Sequence, residues 1–337
     1  MRHVLLLAEQ ARDNGWEIVV AAPAPIRATP AWIRTELLPR GLLSCSLALA
    51  KLARNSDLIH AHGPRAGAWV ALLRNRQPWI WTTHGLHPLR RPADPARRLL
   101  GRLLVRSLVS MADASICVSR AEAAELRAMG VSARRVHVIP NAVAPEPLIG
   151  PGEQLNARQV LDLKADSFVI LIPGRLDHAK DPLTAVQVAN MLAAEGAHVL
   201  FAGSGPLEGR LRREARAGVR ALGHRNDIRQ LLAASDIVLN TSLWEGLPLS
   251  LLEAMWAGRP VVASAIPGNA EALGDAGVLV PVGDVPGFCS AVVGLRDEAK
   301  RRQLAERARH RVERHFPLER MLVGVDAVYH TVLAGHH

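Results

Sequence analysis

The sequence predicts an α/β protein built from two doubly wound parallel sheets, because short apolar runs alternate with helical stretches along the chain. A length of 337 residues accommodates two domains, each with its own hydrophobic core. A segment rich in Pro and Gly at 144–152 separates them. We therefore expect a first domain over 1–147, a second domain over 148–315 and a terminal segment over 316–337.

The strands of both domains are predicted from apolar runs that end in Gly, His, Ser or Pro. In the first domain they are 17–21, 58–61, 79–82, 114–118 and 136–139, and in the second they are 168–172, 198–202, 219–222, 237–240, 261–263 and 278–280. Ligands of doubly wound sheets bind at the carboxyl ends of the strands. Functional residues are therefore expected directly after each strand, with the substrates in a cleft between the domains.

The positive charge of the chain lies in the first domain. Up to Pro147 there are 20 Lys and Arg against 10 Asp and Glu, which leaves 21 of each sign for the remainder. Arg97, Arg98, Arg102 and Arg106 recur among leucines at helical spacing, which indicates either a basic helix on an anionic membrane surface or an ordinary solvated helix. Nucleic acid is not expected as a partner, because aromatic residues make up only 4% of the chain and no stacking platform accompanies the charge.

The composition indicates a cytoplasmic protein. Cys45, Cys117 and Cys289 are scattered, as expected of buried thiols in a reducing compartment. No apolar stretch approaches the roughly 18 residues that a membrane-spanning helix needs. The first residues do not resemble a signal peptide. No metal-ligand spacing is visible, so we expect neither a metal nor a cofactor.

Two carboxylates eight residues apart, Glu245 and Glu253, bracket the predicted start of a helix over 248–257. The first turn of a helix has amides without partners and a positive potential, so a phosphate can bind there. Glu253 lies one turn further on, where its carboxylate can accept both hydroxyls of a ribose, and Glu245 can reach the hydroxyls of a sugar. The alternative is that each carboxylate only complements the helix dipole. The other predicted contacts in this segment are Gly246, Leu247, Leu249 and Ser250.

A loop after another predicted strand carries two cations, Arg175 and Lys180. Together with Gly174 they could clamp a diphosphate and neutralise the charge that grows on it as it departs. The chain has no Asp-x-Asp motif, whose carboxylates usually bind the metal ion of a sugar nucleotide. The charge on the departing diphosphate would therefore be stabilised without a metal ion. Gly203, in a Gly-x-Gly loop after the next strand, is a weaker candidate because such a loop can be only a turn.

Histidines follow two predicted strands of the first domain. His84 precedes Gly85 after the strand at 79–82. It could hydrogen-bond a sugar hydroxyl, or it could bond only to other residues of the site without contact to a substrate. His62 is a weaker candidate at the end of the strand at 58–61. We expect His60 and His62 to point to opposite faces of this strand, which would prevent them from holding one ion.

Together these residues resemble the family 4 retaining glycosyltransferases, whose two Rossmann-like domains face a cleft in the GT-B architecture. The resemblance covers nearly the whole chain. Its motifs are Glu245 with Glu253, the segments 83–85, 138–141, 174–176, 202–206, 222–224 and 257–263, and Lys180. The resemblance implies that Arg175 and Lys180 hold the donor diphosphate, Glu253 the ribose and Glu245 the transferred sugar, with His84 at the reacting centre and His224 and Arg225 near the nucleobase. It also implies that the segment 316–333 is a helix that crosses back to the first domain.

One departure from the family concerns the start of the first domain. Family members begin with a strand and a loop containing Gly-Gly before the first helix, whereas residues 1–13 are already predicted to be that helix, ending at Gly15. We therefore expect the N-terminal domain to lack its first strand, which would leave neighbouring backbone groups poorly covered. A misassigned start codon or a truncated gene is the favoured explanation over a natural short form.

The resemblance implies a metal-independent retaining glycosyltransferase of the hexosyl type that uses a UDP or GDP sugar. A bacterial polysaccharide or a lipid-linked oligosaccharide is the expected acceptor, bound on the side of His62, Arg97 and Arg98, at the inner face of the cytoplasmic membrane. Two alternatives stay open. One is a nucleotide-sugar epimerase of similar fold, which needs no acceptor, and the other is a truncated, inactive protein that binds the donor.

Overall fold

The computed structural model describes residues 2–24, 30–39, 41–73, 77–86 and 95–336. The chain forms two compact units, one of Met1–Ala142 with Leu318–His337 and one of Val143–Pro317. These bounds lie within a few residues of the predicted domain boundaries. None of the helices in the described ranges is long and apolar enough to cross a membrane.

The first unit contains two separate parallel sheets. One pairs β1 (Val19–Ala22) with β2 (Arg34–Leu37), and the other contains β3 (Ile59–His62), β4 (Trp79–Thr82), β5 (Ala114–Cys117) and β6 (Val136–Val138) in that order. Its helices are α1 (Arg2–Asp13), α2 (Leu42–Ala53), α3 (Gly63–Ala71), α4 (Pro95–Met111) and α5 (Arg120–Ala128), together with the last helix of the chain, α14 (Leu318–Ala334).

The four-stranded sheet is covered on both faces, and its central strands β4 and β5 are buried at every position. β4 is buried along its whole length, and its neighbouring residues Ile80 and Trp81 point to opposite faces. Trp81 packs with Leu108 of α4, whereas Ile80 packs with Met321 of α14. The terminal helix therefore belongs to the core of the first unit.

The second unit contains one six-stranded parallel sheet in the order β12-β11-β10-β7-β8-β9. Its strands are β7 (Phe168–Pro173), β8 (Ala197–Ala202), β9 (Val219–Ala221), β10 (Ile237–Asn240), β11 (Val261–Ser264) and β12 (Val278–Val280). The helices are α6 (Pro151–Val160), α7 (Pro182–Ala194), α8 (Glu208–Glu214), α9 (Ile228–Ala234), α10 (Leu249–Trp256), α11 (Pro267–Leu273), α12 (Val285–Gly294) and α13 (Glu298–His315). β8 and β9 follow β7 on one side of it, whereas β10, β11 and β12 follow in turn on its other side. The strand order thus reverses between β7 and β10, which is where doubly wound sheets bind their ligands.

A buried ion pair ties the entrance of β7 to that of β10. The guanidinium of Arg158 lies 2.8 Å from a carboxylate oxygen of Asp236, and that oxygen also accepts a hydrogen bond of 2.8 Å from the backbone of Val169. Both charged side chains are almost completely buried, so each needs the other as its partner. This contact fixes the relative position of the two strands whose opposite ends carry the candidate site.

The structure confirms the predicted strands with shifts of one or two residues at their ends, and it confirms the first helix. α1 ends at Asp13, and Gly15, two residues further on, has a φ of 86° and donates a hydrogen bond of 2.8 Å to the carbonyl of Arg12. The first domain is not the single sheet that we expected, and β2 is an additional strand. The Arg34–Leu37 segment lacks a run of buried apolar residues, so no sequence pattern indicated it. The helix predicted over 248–257 is shorter, because Pro248 is its N-cap rather than its first residue.

Candidate functional site

The loops after β7 and β10 are joined at the point where the strand order reverses. Lys180 lies in a short 3₁₀ turn, His178–Lys180, that is capped by Asp177, whose carboxylate accepts a hydrogen bond of 3.1 Å from the amide of Ala179. The hydroxyl of Thr241, directly after β10, donates to the carbonyl of Lys180 at 3.1 Å. The amide of Leu243 donates to the carbonyl of Ala179 at 2.8 Å. These bonds hold the two loops in one position.

Lys180 and Glu245 form an ion pair between the two loops. The Nζ of Lys180 contacts Oε1 of Glu245, and the hydroxyl of Ser242 donates to the same oxygen at 2.7 Å. The side chain of Lys180 is 24% exposed and that of Glu245 only 11%, so water screens the pair weakly. The structure thus brings together the cation and the carboxylate for which the sequence predicted adjoining roles.

A small pocket opens beside this pair. Gly174, Arg175, Lys180, Thr241 and Ser242 are among the residues that line it. Gly174 has a φ of 152°, a conformation that favours glycine. The guanidinium of Arg175 lies 3.1 Å from Asp177, but its side chain is 76% exposed, and an exposed ion pair of this kind is worth little. Arg175 can therefore exchange this partner for an anion in the pocket.

The Gly-x-Gly loop after β8 packs directly on the loop after β7. A Cβ atom at Gly203 would lie 1.7 Å from the carbonyl oxygen of Gly174, and one at Gly205 would lie 2.4 Å from that of Leu176. The amide of Leu176 also donates to the carbonyl of Ser204 at 3.1 Å. Close approach of the two backbones therefore explains both glycines, while contact of Gly203 with a ligand stays a prediction.

The loop that carries Glu245 is held by residues that the sequence reasoning missed. A Cβ atom at Gly268, at the start of α11, would lie 2.5 Å from the carbonyl oxygen of Gly246. The fully buried amide of Asn269 donates to Oδ1 of Asn240 at 3.1 Å, and the same oxygen accepts from the amide of Ser242 at 3.1 Å. The Pro-Gly-Asn sequence at 267–269 was the available signal.

The helix α10 follows this loop and places Leu249 and Ser250 at its first two positions. The amides of these positions have no partner within a helix, so they are available to an anion. Glu253 lies in the next turn and is partly buried. Leu247, just before the helix, is buried.

His224 and Arg225 follow β9, which is the outermost strand at one side of the six-stranded sheet. Like Lys180 and Glu245, they lie beyond the carboxyl ends of the strands. His224 is exposed. The Nε of Arg225 donates to Asp227 at 2.7 Å, and this hydrogen bond holds the pKa of Asp227 below its usual value. The proximity of these two residues to a nucleobase remains a prediction.

In the first unit, the structure brings His62 and His84 into contact. Nδ1 of His62 lies 2.9 Å from Nε2 of His84. His60 packs against His62 with ring centroids 4.1 Å apart, so the expectation that these two residues point to opposite faces was wrong. Residues two apart in a strand share a face. The ring of His60 instead bonds the hydroxyls of Tyr329 and Thr82, each at 2.7 Å.

Burial keeps the imidazoles of His3, His60 and His62 neutral at pH 7. It lowers the pKa of His3, on α1, to about 4 and the pKa of His60 to about 3. It also lowers the pKa of His62 well below its usual value. These rings therefore act as neutral hydrogen-bonding or metal-ligating groups rather than as cations.

The turn that carries His84 is held by a buried carboxylate, Glu122, which the sequence reasoning also missed. His84 itself has a φ of 48°, and Gly85 follows it with a φ of 93°. Glu122 accepts hydrogen bonds from the amide of Gly85 at 2.5 Å, from the amide of Val118 at 3.0 Å and from the hydroxyl of Thr83. Burial raises the pKa of Glu122, and these bonds oppose that shift. The Ser-x-x-Glu pattern at the start of α5 was the available signal.

The basic segment of the first unit is α4. Arg98, Arg102 and Arg106 are exposed along it. The side chain of Arg97 lies outside the described part of the structure. The acceptor-side role predicted for His62, Arg97 and Arg98 remains a prediction.

This arrangement is that of an α/β protein of the Rossmann type, with a cation and a carboxylate at the switch point of its second sheet. The sequence matches the family described as Glycosyltransferase Family 4 over residues 2–147 and that described as Glycosyl transferases group 1 over residues 167–298. The chain therefore belongs to the family 4, or group 1, glycosyltransferases.

Two relatives illustrate the match. The UDP-Gal:alpha-D-GlcNAc-diphosphoundecaprenol alpha-1,3-galactosyltransferase of Escherichia coli is 27% identical over 317 residues, which cover 84% of this chain and 78% of the relative. A D-inositol 3-phosphate glycosyltransferase of Xylanimonas cellulosilytica is 31% identical over 281 residues, which cover 75% of this chain and 67% of the relative.

Solved structures confirm the GT-B fold. Sucrose-phosphate synthase from Thermosynechococcus elongatus superposes with a TM-score of 0.81 at 24% identity and covers 99% of this chain and 93% of its own. HepE of Anabaena, in complex with UDP-glucose, has a TM-score of 0.81 at 21% identity, with 98% and 95% covered. The predicted α/β fold of two Rossmann-like domains is thus correct.

We predict that Glu122→Gln destabilises the first unit. Both oxygens of the Glu122 carboxylate accept hydrogen bonds, so the NH₂ group of a Gln side chain would face at least one donor that then has no acceptor. A buried donor without an acceptor costs about 1–3 kcal/mol. The midpoint of thermal unfolding should fall by about 2–4 °C for each kcal/mol in a unit of this size. Glu9→Gln, at an exposed position of α1, is the control and should leave the midpoint unchanged. An unchanged midpoint for Glu122→Gln would show that this carboxylate does not hold the turn.

Proposed function

We propose that the chain transfers a hexose from a UDP or GDP sugar to a hydroxyl of a polysaccharide or lipid-linked oligosaccharide acceptor. Transfer retains the anomeric configuration and needs no metal ion at the diphosphate. The single observation that supports this most strongly is the Lys180–Glu245 ion pair at the switch point of the second sheet. It puts a cation for a diphosphate beside a carboxylate for a sugar.

The second unit would bind the donor. The diphosphate lies between the free amides of the first turn of α10 and the cations Lys180 and Arg175. Glu253, one turn into α10, accepts the ribose hydroxyls. UDP-glucose is the ligand of the HepE complex, and UDP-galactose is named as the donor of the E. coli relative, which favours uridine as the base.

During transfer, the bond between the anomeric carbon and the diphosphate oxygen breaks, and its electron pair stays on the diphosphate. Lys180 and Arg175 stabilise the charge that develops there, as a metal ion does in other enzymes. The acceptor oxygen forms the new bond on the face that the diphosphate leaves, and its proton passes to the departing phosphate oxygen. Glu245 orients the hydroxyls of the transferred sugar.

The acceptor would carry a lipid or a phosphate. The E. coli relative acts on a sugar linked to diphosphoundecaprenol, an acceptor of this kind. α4 is suited to a membrane surface because four of its leucines are exposed, from 38% at Leu104 to 67% at Leu100. Val105 and Leu108 pack into the core from the other side of the same helix. Arg98, Arg102 and Arg106 recur every four residues beside these leucines, as in helices that lie on anionic membranes. The chain then works at the cytoplasmic face of the membrane.

A thermal-shift screen with UDP, GDP and ADP sugars tests the proposed function. A sugar nucleotide that binds only the folded chain raises the unfolding midpoint, by the equivalent of about 2.7 kcal/mol at 100 times its Kd. We expect a shift with a UDP or GDP sugar and, with the matching acceptor, a product that retains the anomeric configuration. An epimerised donor without acceptor would favour the epimerase, and binding without transfer to any glycan or lipid-linked acceptor would favour an inactive binding protein.

Replacing Glu253 by Ala should weaken donor binding. Hydrogen bonds from two hydroxyls to a carboxylate are lost, each worth about 1.5–3 kcal/mol, so the Kd should rise by at least about tenfold. Calorimetric titration with the donor from the thermal-shift screen measures this. Glu298→Ala, at the exposed start of α13 in the same unit, is the matched control. Equal affinity of Glu253→Ala and the wild type would contradict the ribose assignment.

The double variant Leu99→Ser, Leu103→Ser should lose membrane binding. Each leucine contributes roughly 1.5–3 kcal/mol when it leaves water. The affinity for vesicles of phosphatidylglycerol and phosphatidylethanolamine, measured by co-sedimentation, should therefore fall by at least about tenfold. The wild type should also bind less at high salt, because salt screens the arginines. Leu155→Ser, at an exposed position of α6, is the control. Sedimentation of the double variant like the wild type would rule out this surface.

A further inference from the structure

Three histidines of the first unit converge from three separate elements. His3 lies on α1, His62 ends β3 and His84 follows β4. The ring centroid of His3 lies 4.7 Å from that of His84 and 5.6 Å from that of His62, and the latter two are 5.2 Å apart. One nitrogen from each ring lies within 4.8 Å of the nitrogens of the other two.

His3 is the unexplained member of this group. Its side chain is only 5% exposed, yet neither Nδ1 nor Nε2 has a hydrogen-bond partner within the described ranges of the chain. The neighbouring His60 differs, because Tyr329 and Thr82 satisfy both of its nitrogens. A buried polar group without a partner costs about 1–3 kcal/mol. The His62–His84 hydrogen bond explains those two residues but not the position of His3 beside them.

Three imidazoles without a carboxylate suit a transition-metal ion of borderline softness. Mg²⁺ and Ca²⁺ require oxygen ligands, whereas Zn²⁺ binds three histidines and leaves one position open. Tetrahedral coordination with Zn–N bonds of about 2.0–2.1 Å puts the nitrogens about 3.3 Å apart. The nitrogens of His62 and His84 are 2.9 Å apart, and one nitrogen of each of the three rings lies within 4.8 Å of the other two, so an ion needs only a small rearrangement of the rings.

We propose that His3, His62 and His84 form a tridentate site for a divalent transition-metal ion such as Zn²⁺, with one coordination position left for water or a ligand oxygen. This site uses residues of the first unit alone and none of the residues proposed to bind the diphosphate. The ion binds the chain without donor or acceptor, so the outcome of its test does not depend on the proposed transfer.

The test is calorimetric titration of Zn²⁺ into the full chain, prepared without an affinity tag and freed of metal by a chelator. The absorption spectrum of bound Co²⁺ reports tetrahedral nitrogen coordination in parallel. We expect one ion per chain in the wild type and an affinity lower by about 100-fold or more in His3→Leu. His310→Ala, at an exposed position of α13, is the matched control and should bind like the wild type.

His3→Leu should fold, because leucine replaces an imidazole that makes no hydrogen bond and removes two unpaired polar atoms. Its metal-free unfolding midpoint should equal or exceed that of the wild type. His84→Asn is the second variant, since Asn tolerates the left-handed backbone at this position, and it should lose the ion as well. Absence of stoichiometric Zn²⁺ binding in the wild type, or wild-type affinity in either variant, would overturn the proposal.

Discussion

The candidate site of the second unit is organised around the ion pair between Lys180 and Glu245, and this pair depends on the reversal of strand order. β7 and β10 are neighbours in the sheet but lie more than 60 residues apart in sequence, so the loops that follow them meet only because the chain returns to the middle of the sheet. The buried Arg158–Asp236 pair fixes the opposite ends of these strands. A cation and a carboxylate therefore remain at the switch point, where a low local dielectric strengthens their action on a charged ligand.

In the first unit, too, buried polar groups hold a loop in place. The buried carboxylate of Glu122 accepts three hydrogen bonds and fixes the turn that carries His84, as Ser242 and Asn269 fix the loop that carries Glu245. In both units, then, a proposed reacting residue lies on a loop, and buried polar groups restrict that loop. Such preorganisation is what a transferase needs, since a loop that moved during the reaction would reduce the stabilisation of developing charge.

The sequence was sufficient for the elements that a local pattern encodes. Buried strands such as β4 and β7 are mainly apolar runs, and a glycine closely follows the end of α1, so these were predicted correctly. β2 was missed because the mostly exposed Arg34–Leu37 segment has no such pattern. Glu122 was missed because its partners Thr83 and Gly85 are distant in sequence, and only the fold brings them to it. The motif residues Glu245 and Lys180 were found individually, but their contact depends on the sheet order.

The most direct measurement compares the affinities of a nucleoside diphosphate and the corresponding monophosphate, with the base that the thermal-shift screen selects, for the wild type and for Lys180→Met. If Lys180 holds the outer phosphate, the wild type prefers the diphosphate, and Lys180→Met loses most of this preference while its affinity for the monophosphate changes little. An undiminished preference in Lys180→Met would show that the Lys180–Glu245 pair is only a structural link between two loops.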